Sequence, residues 1–147
     1  AMVQLMTERY GPPNSLGPAV AVWHGRGPWK RIVVHGDSPD SYLEQVIPYW
    51  APPDAAQSLR GFGHGVQLDP AAEELSVRSG DEPLNFLALN LADRLASGRS
   101  SPEEVQSLYT RTAVMTAAGK SSPFTQRLLF APHRSDPLES WSRPIEY

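Results

Sequence analysis

The sequence predicts an α+β fold: a two-layer sandwich in which an antiparallel sheet of about five strands carries helices on one side. Three observations lead there. Val20 to His24 and Trp29 to His35 are rich in β-branched and aromatic residues and lie either side of a Gly-Arg-Gly-Pro loop, the pattern of a hairpin. Gly65 to Leu68 and Glu74 to Arg78 repeat that pattern around Asp69-Pro70-Ala71-Ala72. The strongest helical periodicity follows the second hairpin instead of alternating with strands, which groups helices on one side of an antiparallel sheet.

Taken in order, Val3 to Tyr10 makes a short helix with Val3, Met6 and Tyr10 on one side, and Gly11-Pro12-Pro13 ends it. In the first hairpin a four-residue loop, Gly25 to Pro28, sets His24 opposite Trp29 and Val22 opposite Arg31. One face then carries Val20, Val22, His24, Trp29, Arg31, Val33 and His35; the other carries Ala21, Trp23, Lys30, Ile32 and Val34. Neither is purely apolar, so the pattern leaves open which face is inward. Gly36 to Asp40 is a turn. Tyr42 to Trp50 is a third strand, and its Pro48 predicts an edge position or a bulge. Pro52-Pro53-Asp54 opens a short helix through Leu59 that stops at Gly61.

Asp81 to Gly98 is the central helix. Leu84, Leu87, Ala88, Leu91, Ala92 and Leu95 form one apolar stripe at helical spacing. Asp81 or Glu82 caps its start, Pro83 fits its first turn, and Gly98 follows its end. Phe86 and Leu89 project from the other side among Asn85, Asn90, Asp93 and Arg94, which predicts a second contact there. Phe86 and Asn90 as a pocket wall is the functional reading; ordinary packing is the preferred one. Ser101-Pro102-Glu103-Glu104 opens the next helix with a capping box, and Val105, Leu108, Tyr109, Thr112, Met115 and Thr116 give its buried stripe up to Gly119. Leu128-Leu129-Phe130 is a candidate last strand. Residues 1–130 thus read as one domain and 131–147 as an extended tail, with Trp141, Ile145 and Tyr147 to dock it.

A chain of 147 residues is long enough for a real core. A formal charge of −3 gives no electrostatic case for nucleic acid or an anionic membrane, and no apolar run reaches a membrane span. With no cysteine there is no disulfide and no thiolate ligand or nucleophile. The leading Ala1-Met2 has the look of an expression scar, so the expected compartment is cytoplasmic unless a targeting segment preceded it.

Candidate chemistry is sparse. Gly61-Phe62-Gly63-His64-Gly65 contains GxGxG, but it follows a helix and precedes a strand, the reverse of a phosphate-binding loop. His24, His35, His64 and His133 form no HxH or HExxH pair, so no metal or cofactor is expected. Asp37, Asp40 and Glu44 cluster near a turn, where loop hydrogen bonding is the ordinary role. The hairpin tip is the feature of most interest: Trp23, His24, Arg26, Trp29, Lys30 and Arg31 place aromatic rings and cations within nine residues.

Several stretches resemble an uncharacterised bacterial protein family. They are Gly11 to Pro13, Trp23 with the GPWKR run from Gly27, Leu43 to Tyr49, Glu74 to Arg78, NFLALNLA from Asn85 with Asp93, and Tyr109 to Ala113. The likeness covers roughly residues 10–130 and implies a bacterial free-standing domain. It implies no activity, cofactor or catalytic residue. Similar sequences tend to carry cysteine where this chain has Ser79, so a thiol mechanism there is not implied for this protein.

The leading expectation is therefore a non-catalytic binding or interaction module, with Trp23, His24, Arg26, Trp29 and Arg31 as its contact surface and partly exposed tryptophans. The partner would be a protein or small molecule. A second expectation is a small hydrolase or isomerase, with His24 or His64 and a carboxylate such as Glu44 or Asp93 meeting in a sheet–helix cleft. A third is a homo-oligomer pairing through a sheet face of mixed apolar and charged residues and an edge strand near Tyr42 to Tyr49.

Overall fold

A computed structural model describes residues 2–36 and 43–132. The turn after Gly36, Tyr42, His133 and the tail from residue 133 lie outside the described residues. The elements are α1 (Met2–Tyr10), β1 (Ser15–Leu16), β2 (Val20–Arg26), β3 (Trp29–His35), β4 (Leu43–Pro48), α2 (Ala55–Phe62), β5 (Val66–Asp69), β6 (Glu74–Ser79), α3 (Glu82–Ala96), α4 (Pro102–Ala117) and α5 (Pro123–Gln126).

The strands form one open antiparallel sheet in the order β1-β2-β3-β4-β6-β5. Among the described residues the helices cover one face, which makes the expected two-layer α+β architecture, with six strands. The extra strand is β1, two residues long and paired to Val22 and Ala21. Leu128 to Phe130 form no strand.

Alternation settles the inward face. Ala21, Trp23, Ile32, Val34, Leu43, Gln45, Ile47, Leu75 and Val77 are all buried beneath the helix layer. Their register partners' neighbours, His24, Arg31, His35, Glu44, Glu74, Ser76 and Arg78, line the other face.

The first hairpin is tighter than a four-residue loop. Arg26 pairs with Trp29 and His24 with Arg31, leaving Gly27-Pro28 as a two-residue turn. Gly27, at φ +57°, supplies the left-handed backbone such a turn needs. A slip of two residues preserves the faces, because side chains alternate with period two. The two residues beside that turn depart from the alternation: the Trp29 indole lies on the helix side against Phe86, and the Lys30 ammonium reaches Glu74 on the other face.

β4 is central, between β3 and β6, and is not the expected edge. Pro48 is its last residue, where the missing N–H interrupts no following pair. The expected edge for pairing with a second copy is therefore not offered by β4, which is bonded on both sides.

α3 is the middle of the helix layer, and eleven of its fifteen residues are buried. Asp81 caps it by accepting from the Leu84 N–H. Both of its sides are covered, as the two apolar sets predict. The side that meets the sheet, however, is the mixed one: Phe86 stacks on Trp29, with centroids 5.2 Å apart, and Asn85 bonds Gln45 and the Leu43 carbonyl. Asn90 holds the segment around α5, donating to the Phe124 and Arg127 carbonyls and accepting from the Leu129 N–H. Phe86 and Asn90 are thus packing residues. α4 starts with the predicted Ser101/Glu104 capping box, but Met115 is exposed and only Val105 and Thr112 of its stripe are fully buried.

The glycines between α2 and β5 serve geometry. α2 runs through Gly61 to Phe62, and Gly63 ends it at φ +76°. Gly65 sits at φ +78°, and a Cβ there would stand 2.2 Å from the Arg78 carbonyl oxygen. Gly65→Ala should therefore cost on the order of 3 kcal/mol through strain and overlap. Gly61→Ala meets nothing within 4 Å inside a helix and should stabilise by about 0.5–1 kcal/mol. Urea unfolding of the pair checks both signs.

Candidate functional site

The hairpin residues do not form one exposed patch. Trp23 and Trp29 are 0% and 1% exposed, so the expectation of partly exposed tryptophans is overturned. Apolar area decides this: an indole buries roughly 150–250 Å², worth on the order of 4–6 kcal/mol at about 25 cal/mol/Å². Each ring nitrogen finds an acceptor, Trp23 Nε1 at the Gly11 carbonyl (2.8 Å) and Trp29 Nε1 at Tyr10 Oη and Glu82 Oε2 (3.0 and 3.1 Å). Arg26 is spent on the loop after α1, donating to the Tyr10 and Pro12 carbonyls and to Asn14 Oδ1. Trp50 is the exposed tryptophan among the described residues.

His24 and Arg31 remain together. They are register partners on the face that no described helix covers. Around them that face carries Val20, Val22, His35, Glu44, Gln67, Glu74, Ser76 and Arg78, with Val33 and Val46 buried at its centre. Lys30 Nζ and Arg31 Nη2 lie 2.9 and 3.3 Å from the Glu74 carboxylate. Burial pushes that carboxyl up, but the bonds and charges of Lys30 and Arg31 outweigh it and hold it below its ordinary value. His35 Nε2 lies 2.8 Å from Glu44 Oε1. Two hollows of about 380 and 310 Å³ share Glu44, Gln67 and Ser76, one reaching Arg31 and Glu74, the other Arg78.

The expected pairings of His24 or His64 with Glu44 or Asp93 are not made. The imidazole of His64 stacks on Tyr109 (centroids 3.6 Å) and bonds Gln106 Oε1 at 2.7 Å. Burial raises the Tyr109 hydroxyl above its usual range. Asp93 accepts from Tyr49 Oη (2.6 Å) and pairs with Arg99, and burial together with this acceptor pushes Tyr49 far up. A histidine and a carboxylate do meet, but as His35–Glu44, on the sheet face instead of in a sheet–helix cleft.

The residue that the sequence reading passed over is Glu82. It is 3% exposed at the first position of α3. Its Oε2 accepts from Tyr10 Oη (2.6 Å), Gln45 Nε2 (2.6 Å) and Trp29 Nε1 (3.1 Å). Its Oε1 has the Arg9 guanidinium 3.1 Å away as an ion pair, without the alignment of a hydrogen bond. The chain of polar groups continues from Gln45 Oε1 to Asn85 Nδ2 and from Asn85 Oδ1 to Ser79 Oγ. The sequence signal was an acid in the first turn of a helix, read only as a cap.

No group of three His, Asp or Glu side chains that could hold a metal exists among the described residues. No helix among them is long and apolar enough to cross a membrane. No protein-family model matches the chain, and no curated protein or solved structure matches it.

Two outcomes follow from the Glu82 cluster. Glu82→Ala leaves the Tyr10 hydroxyl and the Gln45 amide without their acceptor and Trp29 Nε1 with Tyr10 Oη alone, and should cost about 3–5 kcal/mol. Arg9→Ala removes an exposed partner and should cost about 1 kcal/mol or less. Chemical denaturation ranks them; equal costs would mean that the ion pair, not the donor set, holds the cluster. The second outcome concerns alkali. Burial, and the Glu82 carboxylate that accepts its proton, push Tyr10 up to about 12. A free tyrosine ionises near pH 10, so this stabilisation is full below about pH 10 and fades as pH rises toward the folded value. In Tyr10→Phe the loss of stability above about pH 10 should become shallower without vanishing, since Tyr49 and Tyr109 are raised too. Thermal melts from pH 8 to 11 read this out.

Proposed function

We propose that the protein is a non-catalytic interaction module and that its contact surface is the sheet face away from the helices. The observation that carries this reading is the register: it sets His24 opposite Arg31 on a face where Val20 and Val22 adjoin charged side chains of both signs. Half-exposed groups of mixed polarity are what a protein partner desolvates and pairs with. The buried ionisable groups on the helix side support it from the other direction. Glu82 Oε2 is answered by Tyr10, Gln45 and Trp29, and the Asp93 carboxylate by Tyr49 and Arg99, which are structural duties.

The test uses a charge placed on each side of the molecule. Ser76→Lys lies on the proposed surface, and Ser107→Lys lies on the exposed side of α4. Affinity capture is compared quantitatively for the wild type and both variants. Partners kept by Ser107→Lys and lost by Ser76→Lys support the proposal. Partners indifferent to Ser76→Lys sink it.

A second reading, a small enzyme, is favoured by the His35–Glu44 contact, because the hollows lie on the same face. It predicts a metabolite whose binding raises the melting temperature by on the order of 5–10 °C at about 100 times its Kd. That shift should disappear in His35→Asn; a library of metabolites with no such hit removes this reading.

A further inference from the structure

The two edges of the sheet are finished differently. At the β1 edge the outward backbone of β2 is answered. Asn14 N–H donates to the Val22 carbonyl, Gly17 N–H to the Val20 carbonyl, and His24 N–H to Asn14 Oδ1. At the other edge, Arg78 N–H donates to the Gly65 carbonyl. With Val66 opposite Val77 and Leu68 opposite Leu75, this makes Gly65, Gln67 and Asp69 the residues that bond β6. Val66 and Leu68 therefore turn their backbone groups outward. Val66 N–H closes a turn onto the Gly63 carbonyl at 3.1 Å. Leu68 N–H, Leu68 C=O and Val66 C=O face out, and among the described residues nothing bonds the Leu68 N–H.

Beside this edge runs a groove of about 400 Å³ between α2 and β5. Ala56, Leu59, Val66, Leu68 and Pro70 give it apolar walls, Gln67 and Arg60 complete the lining, and Arg60 is its one cation. The Arg60 side chain is exposed and makes no ion pair or hydrogen bond among the described residues. An edge with unpaired N–H and C=O groups is a template for another strand. A peptide that joins such an edge takes its affinity from the main chain and its specificity from alternate side chains seated beside it.

We propose that β5 and α2 form a docking site for an extended segment of a partner protein. The segment adds to the sheet as a seventh strand, seats alternate apolar side chains in the α2–β5 groove, and brings a carboxylate to Arg60. The unpaired guanidinium is the reason for the acidic residue. The outward Leu68 N–H and C=O are the reason for an extended main chain, which a compact small molecule does not supply. β5 has four residues, so the main-chain pairing spans roughly 13 Å at about 3.3 Å per residue. Arg60 and Ala56 do not line the hollows on the helix-free face, so this site and the surface proposed above are tested by different variants.

The experiment selects short linear peptides from a display library on the whole protein, then measures synthetic versions by fluorescence anisotropy. Expected are peptides of alternating apolar residues with an Asp or Glu, weakened about tenfold or more by Arg60→Glu and largely kept by Arg60→Lys. Circular dichroism confirms that both variants are folded. N-methylation of the peptide at alternate residues gives a second reading that leaves the protein untouched. One alternate set should abolish binding and the interleaved set should spare it, because only one edge of the added strand faces β5. The proposal is overturned if no peptide is enriched over an unrelated protein, if binding ignores Arg60→Glu, or if both methylated sets bind equally. It is overturned as well if sedimentation shows a dimer that Ala56→Glu breaks, since the edge would then belong to a second copy of the chain.

Discussion

A carboxylate at the start of a long helix, held almost wholly out of water, must be answered by donors, and the donors of Glu82 come from three separate elements. Tyr10 ends α1, Trp29 begins β3 and Gln45 lies inside β4. The N-terminal dipole of α3 favours the charge from the other side. An apolar contact between a helix and a sheet tolerates sliding; a carboxylate oxygen with three donors at hydrogen-bond distance does not. The cluster therefore fixes the height and rotation of α3 on the sheet. Ser79, Asn85 and Gln45 extend the same constraint back to β6, so the strand that leads into α3 is tied to the helix it precedes. The stacking of Phe86 on Trp29 then follows from a registration already set.

This also explains why the two most distinctive stretches of the chain lie far apart in sequence. The GPWKR run supplies the tight turn at Gly27 and the indole of Trp29; the NFLALNLA run supplies Asn85, Phe86 and Asn90. They meet at one place. The hairpin's tryptophans are a fastening between sheet and helix, and only His24 and Arg31 of the expected contact set face away from it.

What could be read in the sequence was what has a local signal. The capping box at Ser101 and Glu104, the Asp81 cap and the leucine periodicity of α3 each operate within one or two turns, and each is found in place. The hairpin pairing was read two residues off because turn length depends on which glycine takes a positive φ, and Gly25 and Gly27 both do. Pro48 was misread for a related reason: proline excludes a mid-strand position, but the end of a central strand satisfies that rule as well as an edge does. The local signal of Glu82 does not single it out. An acid in a first helical turn is ordinary, and its three partners lie 72, 53 and 37 residues away. The same holds for the site: composition flagged the tryptophans, but burial is a tertiary property and reversed their role.

The division of charge across the sheet says what sort of recognition the remaining surface permits. On the helix side the carboxylates of Glu82 and Asp93 are surrounded mainly by neutral donors, so their charge is used up in holding elements together. On the other face Lys30 and Arg31 stand around the Glu74 carboxylate, and the His35 imidazole bonds Glu44. These groups lie close together and partly buried, so they discriminate at contact. Arg60 is the contrast. It stands unpaired beside an edge whose backbone is open, so its field and those backbone groups point at the same occupant. One surface selects by pattern, and the other by main-chain geometry plus a single charge.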